Sequence, residues 1–126
     1  MARRWTIRIA ACLALFTLTA CADGAQPERT PRPNEVQIFE PAGQPDRWTY
    51  TPNTLSVAAG TTVTFVNHGK EFHTVTSDDP GRLFDISLDT NKTATFTFAK
   101  VGMFAYHCGV HAQMTGVIRV CDGACG

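Results

Sequence analysis

No stretch of this 126-residue sequence is apolar for long enough to cross a membrane as a helix. The longest run, residues 9–18, has ten residues where a span takes about 20. Basic clusters are missing as well: the 11 Lys and Arg are scattered and balanced by 11 Asp and Glu, which excludes the charge footprint of a nucleic-acid binder. From Glu35 onward no segment shows amphipathic helical periodicity, and no segment repeats, which argues against helical bundles and repeat arrays. Histidine is scarce too, with four in the chain, so any metal site has few imidazoles to draw on.

What is present begins with residues 1–20, where Arg3, Arg4 and Arg8 lead into the short apolar run; this pattern reads as a secretory signal peptide. The run ends in Leu18-Thr19-Ala20-Cys21, which resembles the lipobox of bacterial lipoproteins and implies cleavage before Cys21 with a lipid on its sulfur. An ordinary cleavage at Ala20-Cys21-Ala22 would instead release a soluble protein into the same compartment. Arg3-Arg4 matches a twin-arginine signal only in part, because Thr6 falls where that signal prefers a bulky apolar residue. Loss of the signal leaves eight basic against eleven acidic residues, a net charge of −3. The expected location is the cell envelope, lipid-anchored and facing the periplasm or exterior, or soluble in the periplasm without the lipid.

Residues 22–34 carry three prolines and no apolar periodicity, so residues 21–34 read as a lipidated cysteine followed by a disordered tether. From residue 35 onward, β-branched and aromatic residues alternate with polar ones between short Gly, Pro, Asn and Asp clusters. Candidate strands are 35–39, 55–58, 61–66, 72–76, 93–98, 103–108 and 116–120. Val63 and Phe65 share one face, as do Ala94, Phe96 and Phe98, which suits strands buried on one side. These signals predict an all-β chain, an antiparallel Greek-key β-sandwich of about seven to eight strands over residues 35–120, with residues 121–126 as a tail.

Three cysteines remain beyond Cys21: Cys108, Cys121 and Cys125. In an oxidising compartment, a terminal disulfide between Cys121 and Cys125 across the Asp122-Gly123 turn accounts for two; a metal-scavenging thiol pair is the other reading. Cys108 belongs to Cys108-Gly-Val-His111-Ala-Gln-Met114, which sets a thiolate, an imidazole and a thioether in one turn between strands. Soft sulfur with imidazole favours copper. A short loop cannot surround an ion, so a second histidine must come from elsewhere, and His73 is the candidate: it shares a strand face with Val75. If Cys108 points inward with Tyr106 and Phe104, His107 points outward, and His68 in Asn67-His-Gly69 reads as a loop histidine; neither is expected to bind the metal.

Tyr50-Thr-Pro52, the run from Leu55 to Asn67, Phe72-His-Thr-Val-Thr76, and the segment from Gly102 to Gly116 together resemble the blue-copper (cupredoxin) family, in particular its plastocyanin, amicyanin and pseudoazurin group. The resemblance covers most of residues 35 to 120. It implies a cupredoxin-like fold with one copper ion cycling between Cu(I) and Cu(II), His73, Cys108 and His111 as strong ligands, and Met114 as the weak axial one.

Two departures stand out. Val110 occupies the position before the loop histidine where amicyanin and pseudoazurin carry proline, so a backbone N–H is available to donate to the Cys108 sulfur. Thr74 and Gly109 stand where asparagine and a hydroxyl residue are common, leaving the usual hydrogen bond between the two loops without its usual partners.

The resemblance implies a one-electron carrier rather than an enzyme, a monomer that passes electrons through the edge of His111 to transiently docked redox proteins. Phe72, Met103, Val110 and Ala112 are the expected apolar rim, and the membrane is reached through the lipid on Cys21. A copper-binding protein for storage, sensing or delivery is the competing reading, and a redox-silent scaffold sandwich a third.

Overall fold

The computed structural model describes residues 29–126. The expected signal peptide, Cys21 and the first part of the expected tether lie outside the described residues. Among the described residues nine strands form: β1 (Glu35–Phe39), β2 (Thr49–Thr51), β3 (Thr54–Ala58), β4 (Thr61–Asn67), β5 (His73–Ser77), β6 (Asp85–Leu88), β7 (Thr93–Phe98), β8 (Gly102–His107) and β9 (Thr115–Cys121). They make two sheets, ordered β2-β1-β4-β7 and β3-β9-β8-β5-β6. Among the described residues no helix is long and apolar enough to cross a membrane.

Alternation drives this arrangement. In β4, Val63 and Phe65 turn inward, and in β9 Gly116, Ile118 and Val120 do so. The inward residues of both sheets meet in one core that includes Val36, Ile38, Val57, Val63, Phe65, Val75, Leu88, Tyr106, Ile118 and Val120. Tyr106 is packed edge-on by Tyr50 at 4.9 Å and by Phe65 at 5.8 Å between ring centroids. Its cross-strand partner is Gly116, and a Cβ there would lie 2.3 Å from the Tyr106 ring, so only glycine leaves space for the phenol.

The sheets are mixed where the sequence suggested antiparallel pairing throughout: β1 runs parallel to β4, and β3 parallel to β9. Period-2 alternation specifies which face a residue occupies and carries no information about the direction of the neighbouring strand. Two short strands, β2 and β6, were not among the candidates, because three or four residues are too few to show a pattern. The end of the expected tether is bonded to the sheet: the amide of Glu35 donates to the Arg32 carbonyl at 3.1 Å and that of Thr64 to the Asn34 carbonyl at 2.9 Å.

One pole of the sandwich collects the ends that matter. The last residues of β1, β4 and β8 and the first of β5 and β9 converge there, bringing Glu40, the 68–72 loop, His73, Cys108 and Met114 together. Asn67 shapes the loop before His73: its Nδ2 donates to the carbonyls of Glu71 (2.8 Å) and Leu88 (2.9 Å), and its Oδ1 accepts from the Gly69 amide at 2.8 Å. The opposite pole holds the turn at Gly60 and the C-terminal tail.

Candidate metal centre

His73 opens β5 and is wholly buried; Cys108 follows β8 and is 1% exposed; His111 is half-buried in the loop between β8 and β9. That loop is closed by the Cys108 amide donating to the Met114 carbonyl (3.0 Å) and the Met114 amide to the His111 carbonyl (2.9 Å). The Nδ1 atoms of His73 and His111 stand 3.1 Å apart, and the Cys108 Sγ lies 3.8 Å from the first and 3.7 Å from the second. With metal–nitrogen contacts of about 2.0–2.1 Å and metal–sulfur contacts of about 2.3 Å, a triangle of this size lets one ion touch all three corners. Met114 is fully buried at the end of the same loop.

The protonation chemistry also fits. Burial pushes the Cys108 thiol up, but the hydrogen bond with His73 and the backbone amides of Thr74, Val110 and His111 outweigh it and hold the group down at about 5. The Thr74 amide lies 3.3 Å from Sγ. The Val110 amide is thus among the groups that favour the thiolate, as its lack of a proline ring allows. Burial lowers the pKa of His73, while hydrogen bonds to Cys108 and Glu40 raise it further, for a net upward shift.

Three contributors went unnoticed in the sequence. Glu40, buried just beyond β1, sets its Oε1 2.6 Å from the His73 Nε2 and its Oε2 2.8 Å from the Lys70 amide. Facing an ionised carboxylate, Nε2 carries the proton, which leaves the Nδ1 lone pair pointing at the triangle. A Cβ on Gly69 would sit 1.8 Å from the Glu40 Oε1, so that glycine makes room for the carboxylate. Trp48 packs edge-on against both imidazoles, with centroids 5.0 Å from His111 and 5.8 Å from His73. Gln113 ties the loop to the 40–48 segment through a 2.6 Å hydrogen bond to the Pro45 carbonyl. No spacing motif marks these residues, since each reaches the site from a segment more than 20 residues from its partner.

The hydrogen bond between the two ligand-bearing segments, left in question by Thr74 and Gly109, is made in another way: the Gly109 amide donates to the Thr74 Oγ1 at 2.8 Å. A backbone donor substitutes for a side-chain one. His107 points outward and hydrogen-bonds Asp78, away from the triangle, and half-buried His68 is not part of it. Met103, expected at the rim, lies at the start of β8 opposite Arg119, five residues or about 16 Å along the strand from Cys108, so it belongs to the other pole. Cys121 and Cys125 are joined by a disulfide, leaving Cys108 as the free cysteine among the described residues.

A nine-stranded β-sandwich holding a thiolate and two imidazoles at one pole defines a mononuclear soft-metal protein, and the donor set selects copper. A family model described as a cupredoxin-like domain matches residues 8–120. The chain belongs to the cupredoxin family, and His73, Cys108, His111 and Met114 are arranged as its single copper site. A purple cupredoxin from Nitrosopumilus maritimus is 30% identical over 68% of this chain and 98% of its own, with a TM-score of 0.59. A variant of amicyanin in its reduced state is 27% identical over 68% of this chain and 79% of its own, with a TM-score of 0.57. A copper-containing nitrite reductase from Thermus scotoductus SA-01 is 27% identical over 76% of this chain, which spans 24% of that enzyme, with a TM-score of 0.58. A search of curated proteins finds no match.

Proposed function

We propose that this cupredoxin is a one-electron carrier of the cell envelope with a type 1 copper centre, in which His73, Cys108 and His111 are the strong ligands and Met114 the weak axial one. The observation that carries the reading is the preformed triangle: two Nδ1 atoms and a thiolate already stand at bridging distance, held by Glu40, the Thr74 amide and the closed 108–114 loop. Bound copper supplies the electron by alternating between Cu(II) and Cu(I). The chain's part is to keep the donors fixed, so that neither oxidation state forces a rearrangement.

His111 offers the exit. Its ring is half-buried, and Phe72, Val110 and Ala112, next to the two histidines in sequence, are exposed and would form a small apolar rim suited to brief docking by a redox partner. Burial of His73 and Cys108 supports retention of copper and so favours an electron carrier over a delivery protein.

Residues 1–20 as a signal, Cys21 as the lipid site and the following tether complete the proposal. A disulfide at Cys121–Cys125 suits an oxidising compartment.

The test is repeated chemical oxidation and reduction in the presence of a competing Cu(I) chelator. A carrier retains its copper through many cycles; a delivery protein loses it to the chelator within the first few.

A further inference from the structure

On the outer face of the five-stranded sheet, a line of hydrogen bonds leads from the copper loop to the surface. The Gly109 amide lies 2.8 Å from the Thr74 Oγ1, which lies 2.9 Å from the Thr76 Oγ1, which lies 2.9 Å from the Asp85 Oδ1. The other carboxylate oxygen of Asp85 accepts from Arg82 at 3.0 Å. Thr76 is 5% exposed although it faces outward, and Asp85 is its cross-strand partner in β6.

The direction of this line follows from what each group can do. An ionised carboxylate only accepts, so the single hydroxyl hydrogen of Thr76 goes to Asp85. Thr76 must then accept from Thr74, which commits the hydrogen of Thr74 to Thr76. The Thr74 oxygen is left with its lone pairs toward the loop, as an acceptor for the Gly109 N–H. Each hydroxyl that donates becomes a better acceptor, so the carboxylate at the far end strengthens the bond at the near end. Without Asp85 nothing fixes which hydroxyl of the Thr74–Thr76 pair donates to the other.

We infer that Asp85 is a positioning residue for the copper-binding loop, acting through Thr76 and Thr74 on the Gly109 amide beside Cys108. The inference extends the copper-carrier reading, but its first readout needs no metal. Asp85 touches no ligand; its effect is to fix the loop on which Cys108 and His111 are carried.

The test compares wild type, Asp85→Ala, Thr76→Val and the double variant, in the full chain. In metal-free protein, Asp85→Ala moves the Gly109 amide proton upfield and speeds its exchange roughly fivefold, the scale of one weakened hydrogen bond. In the Thr76→Val background, less than half of either effect remains, because the relay is already broken. If Thr76→Val does not fold, Thr76→Ala gives the same comparison. In copper-loaded protein, Asp85→Ala raises the reduction potential, and again less than half of that shift survives in the Thr76 variant. An unmoved Gly109 amide, an unshifted potential, or effects of more than half size in the Thr76 background overturn the inference; the last result would mean that the carboxylate acts through space. If the amide responds while copper gives no thiolate spectrum, it is the copper reading that fails.

Discussion

The Nε2 of His73 and the Oε1 of Glu40 stand 2.6 Å apart, both buried, although 33 residues separate them. The carboxylate fixes the ring's tautomer and makes it a more basic ligand, which stabilises Cu(II) over Cu(I). Glu40→Gln removes the charge and puts a donor amide among the N–H groups of Lys70 and His73. Cu(II) affinity is expected to fall about 10–100-fold and the reduction potential to rise. Competition titration with a Cu(II) chelator and voltammetry check this, and unchanged values would remove Glu40 from the site.

Val110 has the opposite influence. Its N–H favours the Cys108 thiolate, and withdrawing density from the sulfur favours Cu(I). Val110→Pro deletes that donor, so the potential should drop. Voltammetry showing an unchanged or higher potential would contradict the role given to the amide.

The ligand loop was legible because Cys108, His111 and Met114 lie within one short segment, and parity along the strands sufficed to turn His73 inward and His107 outward. Most strands could be read the same way, since the buried Val63 and Phe65 in β4 and Ile118 and Val120 in β9 recur at every second position. Glu40, Trp48 and the relay to Asp85 could not. They are assembled by parallel pairing of β1 with β4 and by the short β2 and β6, and a partner strand's identity and direction leave no periodic trace in sequence.

Metal-free protein should show a specific pH dependence. Cys108, depressed from its ordinary 9.0 to about 5, contributes stability that is complete above 9 and lost as the pH falls to about 5. His73, raised above its ordinary 6.5, contributes stability that is complete below 6.5 and lost as the pH rises through its folded value. Between about 5 and 6.5 only the Cys108 contribution changes, so these two groups make stability rise with pH there. Above 6.5 the two trends offset until His73 has lost its proton. Denaturant midpoints at pH 5 and 6.5 should therefore increase in the wild type and much less in Cys108→Ser. An equal increase in both would show that other groups govern the window.

The disulfide closes a five-residue loop at the end of β9, where Cys121 pairs with Ala58 at the pole away from copper. Replacing both cysteines by serine should cost about 2 kcal/mol by the loop-entropy relation, seen as a lower denaturant midpoint, with the potential unchanged. A shifted potential would mean that the tail communicates with the site.

The most direct measurement is the visible absorption and EPR spectrum of the purified protein after one equivalent of Cu(II), beside that of Cys108→Ser. An intense thiolate-to-copper band with the narrow hyperfine splitting of a copper–thiolate bond, absent from Cys108→Ser, is the predicted result. A colourless wild type, or a spectrum that the serine variant shares, would contradict copper ligation by Cys108.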